Sequence, residues 1–408
     1  MPYSLLSSQI SKKFSFCLGI SISILSISAA DAANKTGDNC GFPSYQDTIS
    51  SNYQGQLFQL SDHYPKEFPN TSKPWENWNF KSDPQAYLNK IKAYIFAGMK
   101  EADWRPGQNK VHHWYHMPWV TMGRRAREGV RGLNRNADTK PYELAPTQSK
   151  PQQKWELSFY NNYAAYQIGQ IWCHKGKTGL KVGEPDLTKT EFPEGSFIAK
   201  FVFITGTDKQ LPFMKGAPTV LANINETIDR KSPKKVLPVR LVQIDFSIRD
   251  KRADSTTSWI MGAFVYDSNA KQGKNGIWDK MVPLGVQWGN DPTITPTMVK
   301  NGTKLKESVI MGKIPDYARR RLGYGSRLNG PLDFYGFSCL GCHSMAQWPK
   351  PLAKIPKGKT EAEKMHYFRN LKPDEPFQKG HISLDYQLHL ENAFRNYFRN
   401  DQSAQADD

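Results

Sequence analysis

The sequence predicts an α+β fold, with an antiparallel β-rich central region, as a sandwich or open barrel, and a mainly helical C-terminal region. Three observations carry this expectation. Val242, Ile244, Phe246 and Ile248 alternate with Leu241, Gln243, Asp245, Ser247 and Arg249, a strict period of two. The runs 197–205 and 259–266 are apolar and rich in β-branched or aromatic residues. No helical pattern separates these strands, which argues for antiparallel pairing. Near the end, Tyr386, Leu390, Ala393, Phe394 and Tyr397 share one face of a helix expected over 383–399, with Ser383 as its cap.

The elements follow in order. Lys12 and Lys13 precede an apolar stretch over 14–27 and then the small residues Ser28-Ala29-Ala30-Asp31-Ala32-Ala33. That order is the pattern of a secretory signal peptide, with cleavage expected after Ala32 and a periplasmic mature chain. Residues 33–80 lack periodicity. A helix is expected from Asp83, which can cap it. Pro84 sits at its first position, and Tyr87, Leu88, Ile91, Tyr94 and Ile95 form its apolar face, with an end near 98–102. Weaker strand candidates are 155–172 and 281–288. Residues 315–321 read as a short helix, 322–336 as a Gly-rich loop and 349–360 as an exposed basic loop. The divisions are therefore a signal peptide over 1–32, an irregular and helical region over 33–150, the β-rich region over 151–300, and a last region over 301–408.

Composition bounds the partners. Of 408 residues, 38% are hydrophobic and 12% aromatic, enough for a real core, so global disorder is excluded. The charge is strongly basic, 55 Lys and Arg against 38 Asp and Glu. Loss of residues 1–32 removes Lys12, Lys13 and Asp31 and leaves a net +16. For an exported chain this points to an acidic protein or an anionic membrane surface, and not to nucleic acid.

Five cysteines are present. Cys17 falls in the signal peptide. Cys40 and Cys173 are left over in an oxidising compartment, and a disulfide between them is the simplest account. Cys339-Leu340-Gly341-Cys342-His343 is C-x-x-C-H. Two thiols at this spacing can add to the two vinyl groups of one haem, and the adjacent histidine can then offer a ring nitrogen to the iron. Other readings fit less well. A zinc site would need two further ligands, and there is no second C-x-x-C. A thioredoxin-like pair would follow a strand in a βαβ unit. A plain disulfide would leave His343 unexplained.

With its exported context and capped C-terminal helix, the motif resembles a bacterial c-type cytochrome. The resemblance covers at most the last hundred residues and is specific only over the motif. It implies a cytochrome c-like haem region over 301–408 and one covalent haem c per chain, attached through Cys339 and Cys342. It also implies His343 as the proximal ligand of the iron and transfer of single electrons. Two features depart from the family: only 65 residues follow His343, and a large β-rich region precedes the motif.

For the sixth position of the iron, Met345 lies too close to His343 to reach round the haem edge. Met365 is the first candidate, followed by His366, His381 and His389. A rival is the segment His112-His113-Trp114-Tyr115-His116-Met117, where His112 and His116 are spaced for one helix face. That segment is either a lid or second metal site, or an aromatic plug. Arg124, Arg125, Arg127 and Arg131, in an arginine-rich loop that also holds Arg135, and separately Arg319, Arg320, Arg321 and Arg327, either clamp haem propionates or form a basic docking face. The expected function is electron transfer to or from an acidic redox partner. The alternatives are a peroxidase-like haem enzyme with an open sixth position, and a sensor whose β region holds a ligand.

Overall fold

The computed structural model describes residues 40, 42, 49, 52–120, 127–174, 179–349 and 358–405. The chain divides into 1–36, which lies outside the described residues, and 37–408, which holds all of them. The expected signal peptide, Arg124, Arg125 and most of the basic loop at 349–360 therefore lie outside the described residues.

Eight strands form one antiparallel sheet: β1 (Asn134–Arg135), β2 (Lys154–Tyr160), β3 (Phe197–Ile204), β4 (Thr219–Asn225), β5 (Lys234–Arg249), β6 (Trp259–Tyr266), β7 (Met281–Gln287) and β8 (Ser308–Ile310). Their order is β1-β2-β3-β5-β6-β7-β8, with β4 also on β5. Arg240 of β5 faces Ile204 on one side and Thr219 on the other, so β4 extends the edge that β6 occupies further along. Pro238 falls where β5 is paired by β4 alone, a place that tolerates a missing N–H. The expected sandwich or barrel is thus replaced by one open sheet, whose path ends at β1 and β8 among the described residues.

Among the described residues seven α-helices accompany the sheet: α1 (Pro84–Phe96), α2 (Asn162–Trp172), α3 (Pro296–Lys300), α4 (Asp316–Arg319), α5 (Cys339–His343), α6 (Glu361–Met365) and α7 (Leu388–Gln405). The C-terminal region is not mainly helical, contrary to expectation. Its helices α4, α5 and α6 have 4, 5 and 5 residues, and only α7 is long. The expected helix start at Ser383 fails for a local reason. Ser383 pairs with Gln347 between two short strands, β9 (Gln347–Trp348) and β10 (Ile382–Ser383). Asp385 and Tyr386 then adopt φ of 45° and 64°, which a right-handed helix excludes.

Two further differences have equally local causes. The apolar run 155–172 divides at Asn161, whose side-chain oxygen accepts from Ala164 N–H at 3.1 Å and starts α2. The expected cap of α1 is present, Asp83 accepting from Ala86 N–H at 3.0 Å, but α1 ends at Phe96, before Gly98 at φ 72°.

The register fixes the two faces. Leu157, Phe201, Ile244 and Phe264 pair across the sheet in one row, and Phe159, Ala199, Phe246 and Gly262 in the next. This apolar face packs on α1 through Leu88, Ile91 and Ile95. Gly262 is needed here, because a Cβ would collide with the Phe246 ring. The opposite face carries Ser158, Lys200, Asp245 and Ala263 in one row and Tyr160, Ile198, Ser247 and Met261 in another. Ile198 and Met261 on that face share a core with α2, α7 and Leu340 of α5. The polar face of the sheet is thereby covered.

Cys40 and Cys173 form a disulfide with Cα atoms 4.7 Å apart, closing 133 residues of sequence and anchoring the end of α2.

Candidate functional site

The C-x-x-C-H motif forms one helical turn laid over the covered face of the sheet. Every amide at the start of this turn has an acceptor. Cys339 N–H donates to Leu328 O at 3.0 Å, Leu340 N–H to the Gln287 side chain at 3.3 Å, and Gly341 N–H to Ser338 Oγ at 3.0 Å. Cys342 N–H closes the first helical bond to Ser338 O. A five-residue helix is too short to hold itself, so these contacts with β7 and the loop before it fix the turn. Gly341 is close-packed: a Cβ there would lie 2.7 Å from Ser338 Oγ and 3.1 Å from the rings of Phe337 and Phe368.

Cys339 and Cys342 are half-buried thiols that face different surroundings. Cys339 packs against the two large cores. Cys342 packs against a smaller cluster containing Phe337, Met345, Met365, Tyr367 and Phe368. His343 Nδ1 lies 2.7 Å from the Tyr386 carbonyl oxygen. A carbonyl only accepts, so Nδ1 carries the proton and the lone pair sits on Nε2. This is the tautomer in which a histidine binds a metal through Nε2, its other nitrogen fixed by a backbone carbonyl.

The Tyr386 carbonyl is itself held by a strained corner. Asp385 and Tyr386 are consecutive non-glycine residues in the left-handed region. Asp385 is fully buried and accepts from Phe192 N–H and Trp259 Nε1–H, both at 2.6 Å. Tyr386 Oη donates to Leu371 O at 2.8 Å. Burial pushes the Asp385 carboxyl up to about 7, against the pull of those two N–H donors.

The structure brings only some of the sequence candidates together. Met365 is buried in the cluster that Cys342 touches, its Sδ 4.0 Å from Arg327 Nη2. His366 is exposed, and its ring stands against Tyr367 and Phe377. His381 is half-buried in the loop before β10. His389 is engaged, with Nδ1 2.9 Å from Tyr160 Oη and Nε2 4.0 Å from Glu156. The segment 112–117 is extended and not helical, so His112 and His116 do not meet as a helix turn would bring them. Trp114 inserts between Tyr94 and Phe197, and His116, fully buried, accepts Ser61 N–H at Nδ1. No group of three or more His, Cys, Asp or Glu among the described residues is arranged to hold a metal ion.

The arginine clusters also divide. Arg127 donates to the carbonyls of Gly132 and Met117, while Arg131 and Arg135 pair with Asp103 and Asp138. Arg327 is fully buried, bonds to the carbonyls of Asn290, Tyr324, Asp291 and Ile294, and lies 4.8 Å over the Phe368 ring. Arg321 pairs with Glu143 at 2.6 Å and covers the Tyr335 ring. Arg319 and Arg320 remain exposed and line an open groove of about 650 Å³ with Met311, Leu322 and Tyr335.

A group that sequence reasoning missed lies on the sheet beside the motif. Lys200 Nζ is 2.8 Å from Asp245 and 3.1 Å from Asp333. The Gln243 amide donates to both carboxylates at 2.7–2.8 Å. Gly330 lets the covering loop approach, since a Cβ there would collide with that amide. Burial drives Asp245 up to about 7, and the neighbouring Asp333 charge adds to it while Lys200 opposes. Burial works against the charged forms of Asp333 and Lys200 as well. Even so, Lys200 and Lys154 hold Asp333 below its ordinary value, and the carboxylates hold Lys200 well above its own. Cys339 belongs to the same field: burial raises its thiol, and the charges of Asp333 and Asp245 raise it further.

No family model matches the chain, and no curated protein or solved structure matches it either.

Proposed function

We propose that this chain is a periplasmic, exported monohaem c-type cytochrome that transfers single electrons. Cys339 and Cys342 would attach one haem c, and His343 would be its proximal ligand. Residues 1–32 would be the signal peptide that exports the chain to the compartment where such attachment occurs. The observation that carries the reading is the hydrogen bond from His343 Nδ1–H to Tyr386 O, beside two half-buried thiols on the same turn. That bond selects the Nε2-binding tautomer and orients the ring. Haem iron would supply one-electron redox chemistry. Met365 is the proposed sixth ligand, supported by its burial in the cluster that Cys342 touches.

The proposed partner is an acidic redox protein, docking at the groove of Arg319, Arg320 and Tyr335. Support comes from Phe334 and Tyr335, 43% and 62% exposed in the loop that leads into the Cys339–His343 turn, and from Tyr335 sharing the groove with Arg319 and Arg320. Peripheral contact with an anionic membrane surface would draw on the same net positive charge. No helix among the described residues is long and apolar enough to cross a membrane.

A second reading, a peroxidase-like haem enzyme with an open sixth position, is favoured by one observation. The Lys200–Asp245–Asp333 group sets acid–base residues beside Cys339. Visible spectra of the oxidised and reduced protein, made with cytochrome maturation machinery, decide between the two. A low-spin, ligand-saturated spectrum is expected for the carrier. A high-spin spectrum that shifts readily with cyanide would replace it with the enzyme.

A further inference from the structure

We infer that the Lys200–Asp245–Asp333 cluster is a redox-linked proton site, in which Asp245 gains one proton when an electron reaches the iron held at His343 and loses it when the electron leaves. The inference rests on the haem reading above. It makes the electron transfer proton-coupled, a property that neither the motif nor the fold supplies.

Geometry is the first support. One ammonium group serves two carboxylates, Lys200 Nζ lying between Asp245 Oδ2 and Asp333 Oδ1. The single Gln243 amide is shared among three carboxylate oxygens. Two carboxylates held so close resist ionising together, and one of them is the natural proton acceptor. Position is the second support. The charges of both carboxylates are felt at Cys339 Sγ, as is that of Lys200. A group bonded to that sulfur shares the field, so a unit of negative charge added there raises the proton affinity of the cluster. Access is the third. The side chains of Lys200, Asp245 and Asp333 are 22%, 15% and 27% exposed, so a proton can come from solvent without crossing a sealed core.

The groups that act on Asp245 are Lys200 of β3, Gln243 of β5 itself and Asp333 of the covering loop, and Asp245 in turn acts on Cys339 of α5; Lys154 of β2 acts on Asp333 and Lys200, and Glu156 of β2 on Lys154 and Lys200. Lys200 stays charged throughout, and Asp333 is held below its ordinary value by two lysines, which leaves Asp245 as the member that changes near neutrality. The step balances. A one-electron donor, the redox partner, reduces ferric iron to ferrous, and a proton from solvent forms one O–H bond at Asp245 Oδ1, the oxygen turned away from Lys200. No bond breaks.

The test is the reduction potential of the full-length holoprotein as a function of pH. The wild type should show a potential that falls with rising pH across neutrality and levels off at acid pH. In Asp245→Asn that fall should disappear. Equal slopes in the two proteins, or a flat wild-type curve, would overturn the proposal. Should Asp245→Asn not fold, an electrochemically triggered infrared difference spectrum of the wild type serves instead. A protonated-carboxyl band gained on reduction supports the proposal, and none overturns it. A protein without any haem couple would overturn the haem reading itself, and it would declare itself as colourless before any titration.

Discussion

The two faces of the central sheet are built from the same strands and the same alternation, yet they perform different work. On one face Phe159, Phe201, Ile244, Phe246 and Phe264 pack on α1 through apolar side chains such as Leu88, Ile91 and Ile95. On the other, Lys200, Asp245 and Ser158 stand in one row, and the loop before α5 reaches over them and covers them only in part. Buried ion clusters stabilise little against an apolar layer of the same volume. The apolar face holds the sheet together, and the polar face, with the corner at Asp385 and Tyr386, sets the site.

The largest expected effect breaks the apolar face. Phe246 is 3% exposed, stacks with Phe197 and fills the space over Gly262. Phe246→Ala should cost about 3–5 kcal/mol, read by denaturant unfolding. The visible spectrum of the folded variant should stay unchanged, because nothing on the polar face touches that ring. A changed spectrum would show that the two faces are not separable.

Next in size is the Cys40–Cys173 disulfide, which ties the chain near α2 across 133 residues. A Cys40→Ala, Cys173→Ala variant should lose on the order of 2–5 kcal/mol. Reduction of the wild type should reproduce that loss. Equal stability of oxidised and reduced protein would argue against it.

A smaller effect sharpens the polar side. The Asp385 carboxyl is raised by burial to about 7, so its folded-state pKa lies above the unfolded one. The folded state then binds more protons than the unfolded state between about pH 4 and 7, and stability falls as pH rises through that window. In Asp385→Asn this component should be absent, making the stability–pH curve flatter there. A steeper curve would contradict the sign. The last test is read on the spectrum rather than on stability, and its variant is Met365→Ala. A near-infrared sulfur-to-iron band present in the wild type should vanish, while an unchanged low-spin spectrum would move the ligand to another residue.

Much of the sheet was legible because a period of two leaves a plain mark. The alternation at 241–249 lies within β5, and the apolar runs at 197–205 and 259–266 coincide with β3 and β6. What alternation cannot say is what lies over each face, so Gln243 and Asp245 read as ordinary polar positions. Lys154, Glu156 and Lys200 sit on strands whose partners are fixed only by pairing across about twenty to fifty residues of chain, a distance over which local pattern is silent. The C-terminal region was misread for a related reason. The apolar spacing at 386–397 is real, but the turn at Asp385 and Tyr386 is set by Trp259 and the Phe192 amide, far away in sequence. The disulfide was legible by counting, since pairing the two leftover cysteines needed no geometry. The motif was legible as a residue pattern, whereas the Tyr386 carbonyl beside His343 Nδ1 was not.

Covalent attachment is the central claim, and the intact mass of the denatured protein tests it most directly. The chain, produced with cytochrome maturation machinery, should carry the added mass of one haem after acid-acetone extraction and full unfolding. Cys339→Ala, Cys342→Ala should carry none. A wild-type mass equal to that of the bare polypeptide, with two thiols open to labelling at Cys339 and Cys342, would contradict it.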